Sequence, residues 1–189
     1  MTVSIPAREP TASLDTSARR PAAARLLVIL CLAVLSAWPA CAASPYERGV
    51  MAYEAGNFED ALSEFRRLSM HGKADAEFML GVLYFYGKGV SSSPAMAAIW
   101  FQRAAVKGDA NAQLAFGSLH IRGLGVHQDL GKAYLWLTLA AASHTAGVRR
   151  QAQQLLDEAG RLMTPPEILS ARQAAADWRP KKAGFSLKE

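Results

Sequence analysis

The stretch Tyr84–Ser93, YFYGKGVSSS, has the residue types of a phosphate cradle: glycines around Lys88, then Ser91, Ser92 and Ser93. An ammonium and hydroxyls beside bare backbone N–H groups could hold the phosphates of a nucleotide. The P-loop, however, requires G-x-x-x-x-G-K followed at once by Ser or Thr. Here the glycine before Gly87 is Gly81, one residue too far back, and Gly89 follows Lys88. Thirty-six residues later the chain reads HIRGLGVHQD, with Gly123, Gly125 and Val126 in register with Gly87, Gly89 and Val90. Leu124 stands in place of Lys88, and no serine survives. A cradle would not be copied without its lysine and hydroxyls, so the loop is a turn between helices.

Other chemistry finds little support. Of the four histidines, His71, His120, His127 and His144, the pair His120 and His127 is not one helix turn apart and no other ligand type clusters with it, so no metal site is expected. His71 and His144 each follow an expected helix, where an imidazolium complements the negative end of the dipole. The chain has no G-x-S-x-G, S-x-x-K, H-E-x-x-H or C-x-x-C. Glu59, Asp60 and Glu64, like Asp157 and Glu158, read as solvated helix faces. No catalytic residue and no cofactor are expected.

The chain has 189 residues, 51% of them hydrophobic and 20% charged, which suits one globular domain. Residues 1–43 differ from the rest. A polar stretch with Arg19, Arg20 and Arg25 precedes an apolar run, Leu26–Ala37, then Pro39 and the small-x-small triplet Ala40-Cys41-Ala42. This is the pattern of a signal peptide with cleavage after Ala42 or Ala43. Retention of the apolar run as a membrane anchor, and lipidation of Cys41, are the alternatives. Both cysteines, Cys31 and Cys41, lie in this segment, so the exported chain has no disulfide framework. From Ser44 onward 17 Lys and Arg face 14 Asp and Glu. So small an excess favours neither nucleic acid nor an anionic membrane as the partner.

The elements that carry these residues follow from an internal repeat. Residues 74–109 align without a gap on 110–145, with 11 identities running from Ala74/Ala110 through Gly81/Gly117 and Trp100/Trp136 to Ala105/Ala141. In the first copy Ala76, Leu80, Leu83 and Tyr84 share one helical face, and Gly87 ends that helix in a left-handed cap. Ser93 and its counterpart Asp129 are N-caps, with Pro94 at the first position of the next helix. Ala97, Trp100, Ala104 and Ala105 form that helix's apolar stripe. Gly81/Gly117 and Ala104/Ala140 allow close helix approach, and the tryptophans fill the space between pairs. Residues 44–73 form a helix pair with a shorter turn. Residues 146–179 form a degenerate repeat and a last helix opened by a Thr164/Glu167 capping box. Residues 180–189 read as a loose tail.

The combination Ala-x-Ala, Leu-Gly, Leu-Tyr, Gly-Lys-Gly-Val, Trp and Ala-Ala over Ala74 to Ala142 resembles the Sel-one-like repeat family, a branch of the tetratricopeptide repeats. Gly49, Gly56, Phe58, Ala61 and Phe65 resemble the tetratricopeptide pattern itself. The second copy departs from the family pattern at His120 and His144. The cysteine-rich secreted members linked to β-lactam or peptidoglycan chemistry are a poor parallel, because residues 44–189 have no cysteine and no Ser/Lys pair.

The resemblance implies an all-α, short right-handed α-solenoid of antiparallel helix pairs with a C-terminal capping helix, acting as an adaptor for a protein or peptide. It further implies that the first helix of each pair lines the concave side. Counting outward from Gly49, Gly81 and Gly117, the expected partner-binding residues are Tyr53, Phe78, Val82, Phe85, Tyr86, Leu114, Ile121 and Arg122. Tyr53, Phe85, Tyr86 and Arg122 are the expected surface anchors, since Tyr and Arg dominate interface energetics. The competing reading of Phe78, Leu114 and Ile121 is packing against the preceding unit. A cell-envelope enzyme or glycan-processing factor, and a cytoplasmic adaptor lacking a true signal, are the alternatives in function.

Overall fold

The computed structural model describes residues 43–180. The chain divides into two units, Met1–Ala42 and Ala43–Glu189, and the described residues fall in the second. The expected signal segment, its cleavage site after Ala42 or Ala43 and the tail beyond Pro180 therefore lie outside or at the edge of the described residues.

Among the described residues there are eight helices and no strand. They are α1 (Pro45–Glu54), α2 (Phe58–Met70), α3 (Ala74–Tyr86), α4 (Pro94–Val106), α5 (Ala110–Arg122), α6 (Leu130–Ala141), α7 (Ala146–Gly160) and α8 (Pro165–Asp177). None is long and apolar enough to cross a membrane. Pairs α1–α2, α3–α4 and α5–α6 are hairpins, and each stacks on the next to give a short solenoid.

Local chemistry sets the helix ends. Ser44 and Glu47 form a capping box on α1, and Thr164 with Glu167 forms one on α8. Ser93 Oγ accepts from Met96 N, and Asp129 Oδ1 from Lys132 N, so both expected caps are made. The loops of the two copies superimpose in conformation. Gly87 and Gly89 have φ of 67° and 69°, and Gly123 and Gly125 have 66° and 71°, in the left-handed region that favours glycine. The replacement of Tyr84 by His120 leaves this geometry intact.

Within each hairpin a glycine of the first helix receives a large residue of the second. A methyl at Gly81 would lie 2.5 Å from Phe101 Cδ1, one at Gly49 2.7 Å from Phe65 Cε1, and one at Gly117 2.8 Å from Leu137 Cγ. Phe65, Phe101 and Leu137 are spaced by the same 36 residues, so the first hairpin shares the register of the others despite its shorter turn. These three residues are buried, alongside Leu80, Leu83, Ala104 and Ala140. Trp136 packs edge-to-face on Phe116, with ring centroids 5.6 Å apart.

The C-terminal pair breaks the pattern. Helices α7 and α8 both dock on α6 and do not pair closely with each other. Small residues Ala171 and Ala175 form the buried face of α8, and Arg172 donates to Tyr134 Oη at 3.1 Å from Nη2. Trp178, just past the helix, stacks edge-to-face on Trp136 with centroids 6.1 Å apart. One tryptophan from each end of this contact thus ties the terminal helix to the second repeat.

Candidate protein-binding surface

Helix α3 carries most of the expected binding residues, and almost all of it is covered. Of its 13 residues only Tyr86, the last, is exposed, at 66%. Phe78 lies 5.7 Å from Phe101 between ring centroids, and Val82 and Phe85 pack on the same core cluster of α4 and α5 residues. Phe85 also meets Tyr86 edge-to-face at 5.1 Å. Leu114 is half-buried against Ala140, Val148 and Ala152. Ile121 is buried, packed with Ala133, Tyr134, Leu137 and Leu156.

The expectation for Ile121 is therefore corrected: it is a core residue. Its direction of packing also differs from the expected one. Phe78, Val82, Leu114 and Ile121 contact residues further along the chain, because each first helix is covered by its own partner and by the unit that follows. What remains at the surface is a row at the C-terminal ends of the first helices: half-buried Tyr53 on α1, exposed Tyr86 on α3 and exposed Arg122 on α5.

Lys88 joins this row from the loop. Its Nζ donates to Tyr53 Oη at 2.9 Å, and lies 4.4 Å from the centroid of Tyr53 and 4.9 Å from that of Phe58. Tyr53 and Phe58 themselves meet edge-to-face at 5.5 Å. In the sequence Lys88 stood out only as a false phosphate ligand. The signal that it has another role was its exchange for Leu124 between glycines that both copies keep.

A second polar group also escaped the sequence reading. Glu77 is fully buried on α3 and is held by Lys107 Nζ at 2.6 Å and Arg103 Nη2 at 2.8 Å, both from α4. Lys107 additionally donates to Gly72 O at 3.1 Å, so the ion cluster ties α4 to the turn after α2. In the second copy the three positions are Gln113, Leu139 and Ser143. Gln113 stays buried and donates Nε2 to Ala105 O at 3.3 Å. One buried carboxylate with two cations has become one buried amide with none.

Burial shifts His120, Asp109 and Tyr46. It pushes the His120 imidazole below its ordinary range, opposed by the hydrogen bond between His120 Nδ1 and His127 O at 3.3 Å. Burial pushes Asp109 up, with the Asp75 carboxylate nearby adding to it, while the amide of Ala112 pulls the other way. Tyr46 is raised by burial and by these same two acids. Glu64 is held below its usual range by Arg67, whose Nη2 lies 2.7 Å away. Among the described residues no three His, Cys, Asp or Glu side chains come together as a metal would need.

The 36-residue period, the left-handed glycine loops and the glycine-to-aromatic packing find their counterpart among known families: the Sel1 repeat description matches residues 74–109 and 108–144. The chain carries two Sel1 repeats. A Sel1 repeat protein from Oxalobacter formigenes is 26% identical, with a TM-score of 0.56, over 75% of this chain and 57% of that one. A protective antigen present in uropathogenic Escherichia coli strains, displaying the same repeat fold, is 24% identical, with a TM-score of 0.67. That likeness covers 74% of this chain and 31% of the antigen. The chain thus spans less than two thirds of either solved relative. No curated protein matches it. Sel1 repeats generally serve as protein–protein interaction modules.

Proposed function

We propose that the protein is an exported adaptor that binds a protein or extended peptide along the edge formed by Tyr53, Tyr86 and Arg122. The observation that carries this reading is Tyr86. A large aromatic side chain is the sole exposed residue of a helix whose other residues are buried or half-buried, and such a side chain contributes little to the fold. Tyr and Arg are the residues most enriched among energetic anchors of interfaces. Export is supported by the basic stretch, apolar run and small-x-small triplet of residues 19–43.

The test is a crosslinking capture from the cell envelope with the full-length chain tagged at its C-terminus, reading the bait's intact mass in the same experiment. The expected result is one enriched protein and a bait mass that begins at Ala43 or Ser44. A bait that retains Leu26–Ala37 would replace the exported adaptor by a membrane-tethered one. Capture that survives Tyr86→Ala combined with Arg122→Ala would move the interface elsewhere.

A further inference from the structure

Three aromatic rings converge on one ammonium beside the first Sel1 repeat's loop. Lys88 Nζ lies 4.4, 4.9 and 6.0 Å from the ring centroids of Tyr53, Phe58 and Tyr86. The rings come from three helices: Tyr53 from α1, Phe58 from the start of α2 and Tyr86 from the end of α3. Aromatic faces carry negative potential, and rings grouped around one position form a receptor for an ammonium group. Exposed Tyr86 leaves one side of this cage open to solvent.

The loop itself has no need of the cation. In the second repeat Leu124 takes the lysine's place between glycines of the same conformation. The backbone bond is kept as well, Lys88 N to Leu83 O at 2.9 Å and Leu124 N to Leu119 O at 3.1 Å. Around Leu124 the positions matching Tyr53, Phe58 and Tyr86 are Phe85 and Pro94 of the first repeat and Arg122 of the second, so the cage occurs once among the described residues. Exposed acids border it in the chain: Glu54 follows Tyr53, and Glu59 and Asp60 follow Phe58. None of the three forms an ion pair among the described residues.

We infer that the Tyr53–Phe58–Tyr86 cage is a recognition site for a lysine side chain of the protein partner, with Lys88 as the resident occupant that the partner's lysine displaces. The inference rests on the adaptor reading and names the chemistry of its partner. A primary ammonium fits because it keeps one hydrogen bond to Tyr53 Oη while the Phe58 and Tyr86 rings lie 4.9 and 6.0 Å from it, as for Lys88. The exposed acids next to the cage residues in the chain favour a basic segment over an acidic or neutral one.

n-Butylammonium, the lysine side chain without its backbone, is the probe, and the ring resonances of Tyr53 and Tyr86 in the full-length chain are the readout. Lys88→Ala empties the cage and is expected to bind the probe about tenfold more tightly than the native chain, where Lys88 competes for the site. Adding Tyr86→Ala should abolish most of that gain. Tetramethylammonium, which cannot donate to Tyr53 Oη, should bind more weakly than n-butylammonium. Rings that stay flat in a Lys88→Ala chain of native helicity would overturn the inference, as would equal binding after Tyr86→Ala. If Lys88→Ala loses its helicity, titration of the native chain decides: saturating shifts of both rings support displacement, and flat rings refute it. Probe binding with no protein captured from the envelope would sink the adaptor reading and leave the cage standing; capture with flat rings would do the reverse.

Discussion

Gly89 lies against the backbone of Phe58, so close that a methyl group there would sit 2.8 Å from the Phe58 carbonyl carbon and oxygen. Thirty-six residues later Gly125 stands in the same relation to Pro94. In each case the second loop glycine of one unit presses on the first residue of the preceding unit's second helix. This contact locks unit to unit, and it explains why both copies keep a glycine that the turn alone does not fully account for.

Gly89→Ala should therefore cost about 2–4 kcal/mol, the sum of a left-handed side chain and an overpacked contact with backbone that cannot rotate away. Gly56→Ala isolates the first term, since Gly56 has φ of 81° but open space around it. It should cost only about 1–2 kcal/mol. Urea denaturation of the two variants checks the difference.

The buried ion cluster makes an asymmetric prediction. Arg103→Leu with Lys107→Ser leaves the Glu77 carboxyl fully buried and without either cation, and should destabilise by about 3–5 kcal/mol. Adding Glu77→Gln, which completes the set found in the second repeat, should recover most of that loss. If the triple variant is no more stable than the double, Gln113 is not an equivalent of Glu77 and the cluster has no neutral counterpart.

Ile121 and Tyr86, both expected among the partner-binding residues, should separate cleanly. Ile121→Ala opens a cavity among Tyr134, Leu137 and Leu156 and should cost about 2–5 kcal/mol. Tyr86→Ala should change stability by less than about 0.5 kcal/mol while weakening capture of the partner. Thermal melts alongside the capture experiment read both.

His120 predicts a pH dependence. Its folded pKa is depressed by burial, so the unfolded chain binds the proton more readily. Its contribution is fully present above the unfolded value of about 6.5 and is lost as pH falls from there toward the lower folded value. Asp129 and Lys132 face it with opposite effects, Asp129 favouring and Lys132 disfavouring the imidazolium. Paired carboxylates such as Glu64 act only at lower pH, near their own unfolded range of about 4. Stability should therefore fall as pH drops below about 6.5 in the native chain. His120→Tyr, which restores the residue type of Tyr84, should flatten that slope in denaturation curves taken across that drop.

Much of this molecule could be read from the residues in order. The gapless repeat placed the hairpins, because Gly87, Gly89, Ser93 and Pro94 act within a few residues of themselves through left-handed caps, side-chain caps and a preset φ. The Thr164/Glu167 box opened α8 for the same local reason. The stripe of Ala76, Leu80 and Leu83 marked a core face, since a helix of known period must bury the side where its apolar residues fall.

What required the tertiary structure was every property that depends on which unit covers which. Ile121 and Arg122 are neighbours on α5, yet one is buried by α6 and α7 and the other is exposed. Periodicity locates both near one face and cannot say how wide the next unit's cover will be. Nothing in the order of residues sets Glu77 apart, and it is α4 that brings Arg103 and Lys107 to it across the hairpin. Lys88 read as a failed phosphate ligand until α1, α2 and α3 set three rings around its ammonium. The repeat, its caps and its turns were determined by short-range backbone chemistry. The surface left for a partner was decided by stacking, because exposure is what remains after distant segments have packed.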